Sequence, residues 1–535
     1  MNPKPSALSV GQDESETAET GDALATTTDE SIATEAGGEN RRAMQRKPGR
    51  LIVIAACSLL VVGLLVFYSW RESASPARSG QTKSVAVLPF NALLAENRDE
   101  ALEMGMTETL ISKLGGSEEI IVRSLGAVRR YTSTDRDAVS AGRELNAEAV
   151  LDGSIQISSE RIRATVRLIR TEDGKQLWAE KFDEKFTDIF AVQDSISERV
   201  ATALKIRLGN REKKRPTENV EVYQLFMKGR FYLLKGFKHG AETSISYFQQ
   251  AIAADPNHAL AYTGLADAYR AQTVGGEMSP IEMMPKAKAM ANKAIELDDR
   301  LAEAHANLGH IHLWYDWDWQ AAERQHKRAL ELDPNSPDTL QFYAHLLSTL
   351  GRHAKALANI KRARELDPLN MRVNAIEGML LTYAGNVDAA VAKLQRTLEL
   401  EPNHRIALMM AARAYIDKGM FAEAIAATGK AREVAPFSTE PIAYGAYALA
   451  KSGKRADAQA GLDELFKIAN TRYVPPYHVA LVYNALGESE KALDYLEKAF
   501  TEKDVRMVWL KVEPKWNNLR NEPRFIALMK RMRFE

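Results

Sequence analysis

Few residues of the chain have the types and spacing that catalysis or metal binding requires. Residues 1–238 contain no histidine, which removes histidine-based acid–base chemistry from that part. His305, His310 and His312 form a cluster, but spacings of five and two residues put them on different faces of a helix, so surface or packing roles are favoured over a zinc site. Neither a phosphate-binding glycine loop nor an HExxH or GxSxG motif occurs. The sequence therefore predicts no enzyme activity, no cofactor and no metal.

The other side chains with recognition chemistry are positioned by a repeat of 34 residues. Prolines, glycines and alanines each recur at this interval, at Pro334, Pro368, Pro402 and Pro436, at Gly351, Gly385, Gly419 and Gly453, and at Ala356, Ala390, Ala424 and Ala458. Within one unit, apolar residues at helical spacing stop at the glycine, resume after it and end at the proline. Since neither helix can bury its apolar face alone, the pairs must stack into a solenoid with a concave face.

These repeats resemble the tetratricopeptide (TPR) family. The matching residues are Leu308-Gly309, Tyr343-Ala344, Tyr415, Ala356 with Ala363, and Asp333-Pro334. We place about eight helix pairs in residues 221–510 and a C-terminal cap in residues 511–535. Between two helices, the run from Trp314 to Trp319 has two interpretations, a stacking surface for a ligand or, as we favour, packing of Trp317 and Trp319 into a longer turn.

The resemblance implies that the first helix of each pair lines a groove for protein partners. The predicted groove residues are Arg230, Asp267, His310, Gln341, His345, Met379, Met409 and Arg413. The row is mixed in charge and lacks the Lys/Arg/Asn clamp that TPR domains use on carboxylate-terminal peptides. An alternative is that these positions are only solvated helix surface. We expect protein partners through this groove, and neither direct nucleic-acid binding nor a small-molecule ligand.

The sequence predicts a small α/β domain in residues 83–210. In the segment from Arg161 to Ile169, one face carries Ile162, Ala164, Val166 and Leu168 and the other carries Arg161, Arg163 and Arg167, as expected for a half-buried strand. The phrases VAVLPF, AVLDGSIQ and LWAEKFD resemble the amino-terminal domain of TolB and related periplasmic or membrane-tethered proteins.

The segment Leu51–Trp70 is uncharged and has the roughly 20 residues needed to cross a bilayer as a helix. Basic residues are denser before it than after it, which predicts a cytoplasmic N-terminus and periplasmic or extracytoplasmic C-terminal domains. Residues 1–50 are then a disordered cytoplasmic tail and residues 71–82 a linker. A cleaved signal peptide is the alternative, but the apolar run is longer than the usual core of one.

The predicted fold is mainly α: a TPR α-solenoid preceded by a small TolB-like α/β domain and a single transmembrane helix. With the WDW turn and the phrases GRHAKA and LRNEPRF, this order resembles CadC-like winged-helix regulators. Residues 1–50 lack the DNA-binding domain of that group. Lys and Arg together number 71, as do Asp and Glu, so net charge does not indicate a nucleic-acid partner. We therefore expect a membrane-anchored scaffold for protein interactions in the bacterial envelope, or alternatively the signal-sensing part of such a regulatory system, its DNA-binding domain missing or separately encoded.

Overall fold

The computed structural model describes residues 82–534, apart from 93–98, 118, 134, 158–160, 209–216, 218, 236–237 and 277. The predicted tail and the apolar segment Leu51–Trp70 lie outside the described residues. None of the helices in the described part is both long enough and apolar enough to span a bilayer.

A mixed sheet begins the described part of the chain. Its strands are β1 (Ser84–Val87), β2 (Asn91–Ala92), β3 (Ile121–Val122), β4 (Ala149–Ile157), β5 (Arg161–Arg170) and β6 (Gln176–Lys185). The strand order is β3-β1-β4-β5-β6, and β2 pairs with β4. Strands β3, β1 and β4 are parallel, whereas β4, β5 and β6 are antiparallel. Every second residue of β5 from Ile162 to Leu168 is fully buried, which confirms the predicted alternation.

Helices cover both faces of this sheet. They are α1 (Glu100–Gly115), α2 (Leu125–Val128), α3 (Ala138–Glu144) and α4 (Ile189–Leu204). Val85 and Val87 of β1 pack in one apolar cluster with α1 and α4. Ala86 of the same strand packs in a separate cluster with α2 and α3. A strand buried on both faces is expected where parallel strands are joined through helices.

The rest of the described chain is helical, and it contains eight helix pairs. The first helices are α5 (Val220–Lys235), α7 (Ala259–Val274), α9 (Ala302–Ile311), α11 (Pro337–Thr349), α13 (Met371–Tyr383), α15 (Arg405–Lys418), α17 (Glu440–Lys451) and α19 (Pro476–Ala485). The second helices are α6 (Lys238–Ala254), α8 (Pro280–Leu297), α10 (Trp319–Leu332), α12 (His353–Leu366), α14 (Val387–Leu400), α16 (Phe421–Val434), α18 (Arg455–Ala469) and α20 (Ser489–Thr501). Two 3₁₀ helices and α21 (Pro523–Arg531) follow. The predicted mainly helical repeat fold is confirmed.

The glycines of the 34-residue repeat follow the end of the first helix in the fourth to seventh pairs. Gly385 has φ +81°, in the left-handed region that residues with a Cβ rarely adopt. Its N–H donates to the Thr382 carbonyl, and the Asn386 N–H donates to the Leu381 carbonyl, which satisfies two carbonyls at the helix end. The interval of the glycines is thus set by backbone conformation, whereas the matching alanines, such as Ala390, are fully buried between helices.

Replacement of Gly385 by alanine tests this role. No atom lies within 4 Å of the added Cβ, so the change acts through the backbone, and we expect the free energy of unfolding to fall by about 1–2 kcal/mol. Gly429 in α16 is the matched control, because its site is equally open but helical; alanine there should raise stability by about 0.5–1 kcal/mol. Urea unfolding of the whole chain measures both. Equal effects from the two substitutions would contradict the assignment.

Candidate interaction groove

The first helices form the inner layer of the solenoid. From α5 to α19, each first helix contacts the first helix of the next pair as well as its own second helix. In a curved stack of helix pairs, helices of neighbouring pairs come closest together on the concave side. Because the first helices contact one another, they line the concave side. All eight predicted groove residues lie on first helices, from α5 to α15.

Most of these predicted residues are not open to a partner in this structure. His310 and Gln341 are 0% exposed, and Arg413 is 6% exposed. His345, Met379 and Met409 are buried as well. Arg230 and Asp267 are partly exposed and ion-paired: Arg230 with Glu108 of α1 and with Glu303 at 3.5 Å, Asp267 with Arg270. The alternative of solvated helix surface is therefore wrong for the six buried residues, and their peptide contact stays a prediction.

The groove is covered by the chain's own C-terminal segment, which we define as residues 505–534. The ring of Trp509 lies 5.3 Å from that of His345 and 5.4 Å from that of Tyr383, between centroids. The backbone carbonyl of Lys515 accepts a hydrogen bond of 2.6 Å from Asn484 in the last helix pair. This segment does more than cap the last repeat, because its contacts extend over several first helices.

A buried network of four charges holds the segment in the groove. The guanidinium of Arg413 donates to the Glu513 carboxylate at 2.5 Å. Lys515 Nζ lies 2.9 Å from Glu513 Oε1 and 2.9 Å from Asp417 Oδ1. The Glu513 side chain is 0% exposed and that of Lys515 is 1% exposed. Two cations facing two carboxylates neutralise one another, which burial of a charge requires.

The pKa of Glu513 shows how strongly the two cations offset the burial of its carboxylate. Burial by itself would raise the pKa, since it disfavours the charged carboxylate. Lys515 and Arg413 together outweigh burial and hold the pKa of Glu513 at about 2. The Tyr383 hydroxyl donates a further hydrogen bond to Glu513 at 3.2 Å. Glu513 is therefore ionised in the folded chain and binds the groove as an anion.

The aromatic run beside the third helix pair also packs on the end of the chain. Trp317 adopts φ +54° after a π-helical turn, and its ring lies 5.0 Å from that of Phe500. Trp319 stacks on Phe534 at 4.8 Å and donates a hydrogen bond of 3.0 Å to the Arg533 carbonyl. The rings are thus packing residues, as favoured from the sequence, but they also join the third pair to the end of the chain.

Sequence reasoning missed the residues that occupy the groove. A signal was present in the run from Trp509 to Trp516, where Glu513 and Lys515 interrupt an otherwise largely apolar segment. Charges in such a segment are expected to pair when it becomes buried. Their partners, Arg413 and Asp417, are about 100 residues away in the sequence, and no local pattern connects them.

The remaining histidines of the predicted cluster have separate partners. His305 contacts the Gln325 side chain at 2.7 Å, and His312 contacts Asp316 at 2.7 Å. Within the described ranges, no three His, Cys, Asp or Glu side chains are arranged to hold a metal ion.

Two family matches fit this architecture. Residues 81–199 match the family described as HilA/YgeH-like transcriptional regulator, second domain, and residues 381–444 match a tetratricopeptide repeat family. The chain thus contains tetratricopeptide repeats and, before them, a region similar to a regulator domain, which is consistent with a CadC-like TPR protein. Neither match concerns TolB, so the TolB-like assignment stays a prediction.

Individual proteins show more distant similarity. "Putative adenylate cyclase 3" of Rhizobium meliloti (strain 1021) is 28% identical over 237 residues, which cover 43% of this chain and 40% of that protein. The chain therefore spans less than half the length of this curated relative. Among solved structures, yeast Tom70 has a TM-score of 0.39 and 15% identity over 64% of this chain and 78% of its own. YrrB, described as a TPR protein with an unusual peptide-binding site, has a TM-score of 0.25 and 23% identity over 36% of this chain and 95% of its own.

Replacement of Glu513 by glutamine tests the charge network. The variant leaves Arg413 and Lys515 buried beside a neutral amide, so we expect the free energy of unfolding to fall by about 3–5 kcal/mol. Arg524 is the matched control, because it pairs with three carboxylates near the surface of the same segment. Replacement of Arg524 by glutamine should cost no more than about 1 kcal/mol. Urea unfolding measures both, and comparable losses would argue against a special role for the buried network.

Acid should destabilise the chain through its buried imidazoles. Burial lowers the pKa of His326 and of His345 to about 3, so each is neutral when folded and takes up a proton only on unfolding. The contribution of each neutral ring to the free energy of unfolding is complete above about pH 6.5, the pKa of histidine in the unfolded chain. It is lost as the pH falls towards the pKa of the folded state, and at about pH 5 the loss is about 2 kcal/mol per ring. Asp367 opposes this change, because burial raises its pKa to about 6.

Urea unfolding at about pH 7.5 and about pH 5 measures this loss. In a His326→Gln variant the difference between the two pH values should shrink by about 2 kcal/mol, whatever the variant's overall stability. An unchanged pH dependence in this variant would show that His326 does not contribute as stated.

Proposed function

We propose that this chain is a membrane-anchored, non-enzymatic TPR scaffold that mediates protein–protein interactions in the bacterial envelope. The anchor is the segment Leu51–Trp70, with residues 1–50 as a cytoplasmic tail and the TolB-like domain of residues 83–210 outside the cytoplasm. The proposal rests on the repeats, since stacked helix pairs provide a long surface for recognition and the sequence has no catalytic motif.

The observation that carries this proposal is the open part of the inner layer. The C-terminal segment fills the groove near His345 and Arg413, but charged residues at the N-terminal ends of four first helices stay partly or fully exposed. We name these residues the open strip: Glu303 of α9, Asp338 of α11, Arg372 of α13 and Arg405 of α15. The Glu303 side chain is 60% exposed. A polar strip beside a filled groove is suited to a charged partner segment, with complementary charges providing specificity.

The α/β domain is joined firmly to the same solenoid. In α1, a Cβ on Gly105 would lie 2.6 Å from Met227 of α5, so the two helices are in close contact. Further along, Arg123 donates a hydrogen bond of 2.7 Å to the Leu366 carbonyl, and the Ser124 hydroxyl bonds the Asp367 carboxylate. A partner held on the open strip would therefore be held in a fixed relation to the α/β domain.

Charge reversal in the open strip tests the scaffold. A membrane-impermeant cross-linker applied to spheroplasts should capture partners of the intact chain, and the Glu303→Lys, Asp338→Lys double variant should lose some of them. Glu399→Lys, on the second helix α14, is the matched control and should keep the same set, because its side chain is 60% exposed away from the inner layer. An unchanged set in the double variant would count against the strip, and no capture from spheroplasts would count against the proposed orientation.

A second candidate is the signal-sensing part of a regulatory system. It is favoured by the match of residues 81–199 to a transcriptional regulator domain and by the likeness to a protein named as a cyclase, since both names indicate signalling. In this version a membrane-permeant cross-linker applied to the same cells should also capture a separately encoded DNA-binding protein on the cytoplasmic side. Its absence from that second set would remove this candidate and leave the scaffold.

A further inference from the structure

Two arginines converge on one aromatic ring in the inner layer. The guanidinium carbon of Arg270, on α7, lies 5.6 Å from the centroid of the Phe342 ring, and that of Arg372, on α13, lies 5.2 Å from it. Phe342 belongs to α11, so side chains from three different helix pairs meet at this point. Trp314 adds a second aromatic ring, with the Arg270 guanidinium carbon 5.9 Å from its centroid.

The positive charge at this point is only partly neutralised. Arg270 forms an ion pair with Asp267 on its own helix. Across the described part of the chain, no carboxylate lies within ion-pair distance of Arg372, whose close contact is the Phe342 ring. Burial lowers the pKa of Arg372; Asp338 opposes this effect and Arg270 adds to it. Arg372 is thus a partly buried cation that pairs with none of the described carboxylates, while Asp338 and Asp267 partly neutralise its charge from beyond ion-pair distance.

Polar groups around the ring also lack partners. Gln341, beside Phe342 in the sequence, is 0% exposed, and neither atom of its amide is hydrogen-bonded. The His310 ring lies 3.5 Å from the Phe342 ring between centroids, is 0% exposed, and has neither nitrogen bonded. The Nε of Arg270 is likewise buried without a partner. Each such group costs about 1–3 kcal/mol when left unsatisfied, a cost that hydrogen bonds to a bound anion would reduce.

We propose that Arg270 and Arg372 bind the oxyanion of a small molecule, a carboxylate or a phosphate, at the Phe342 ring. Arg372 supplies the unpaired guanidinium, whose planar fork matches either anion. Gln341 and His310 supply buried hydrogen-bonding groups, and Phe342 and Trp314 hold the guanidinium groups in place by cation–π contact. This ligand site goes beyond the proposed scaffold role and revises the expectation that no small molecule binds.

Calorimetric titration of the whole chain with citrate and with inorganic phosphate tests the site, with sodium chloride at matched ionic strength as the reference. We expect one of the two anions to bind, and Arg372→Gln to weaken that binding by about tenfold or more. Arg396→Gln is the matched control, because Arg396 is an exposed arginine of the second helix α14, and it should bind as the unaltered chain does. Preference for citrate or for phosphate identifies the kind of oxyanion.

Arg372→Lys keeps the charge but loses the planar fork, so it should weaken binding and it replaces the glutamine variant if that one does not fold. The proposal is overturned if neither anion binds the unaltered chain at about 10 mM, or if the folded Arg372 variants bind as tightly as Arg396→Gln. Partner capture through Glu303 and Asp338 is read separately, so failure of the anion site leaves the scaffold proposal standing.

Discussion

The position of the C-terminal segment in the groove depends on a charge pairing between the inner layer of the solenoid and the end of the chain. Arg413 and Asp417 stand on α15, one turn apart, and they bind Glu513 and Lys515 of the C-terminal segment. None of these side chains is stable alone in an apolar interior, because desolvation of an unpaired charge exceeds any other local contribution. The ion pairs between them fix the register in which the C-terminal segment enters the groove. In that register the Trp509 ring packs against His345 and Tyr383.

This pairing decides which part of the inner layer is available for recognition. Where the segment lies, the first helices of the solenoid are core, and the contacted residues His345 and Arg413 are only 5% and 6% exposed. Where it does not lie, the N-terminal ends of the same helices keep charged side chains partly in solvent. For the proposed scaffold, the inner surface left for a partner is therefore a narrower strip than the number of repeats suggests. The close contact between α1 and α5 packs the α/β domain against the solenoid.

Much of the fold could be predicted from the sequence, because its main signals are local. A glycine such as Gly385 marks a left-handed residue at a helix end, and Ile162 with its alternate neighbours marks a half-buried strand. These signals depend on residues a few positions apart. The placement of the candidate groove residues on first helices was likewise accessible, since it follows from the phase of the repeat. The burial of His345 and Arg413 was not, because the residues that contact them, Trp509 and Glu513, lie 100 positions or more further along the chain.

The sequence by itself determined the helix pairs, their period and the absence of recognisable catalytic motifs, since helical spacing, turn glycines and motif patterns are properties of short segments. Only the tertiary structure decided that the groove holds the chain's own C-terminal segment, that Arg413 is a structural cation, and that Arg270 and Arg372 meet at Phe342. The physical reason is that curvature of a solenoid brings together side chains from several repeats. Their pairing is fixed by burial and charge, and no spacing within a single repeat encodes it.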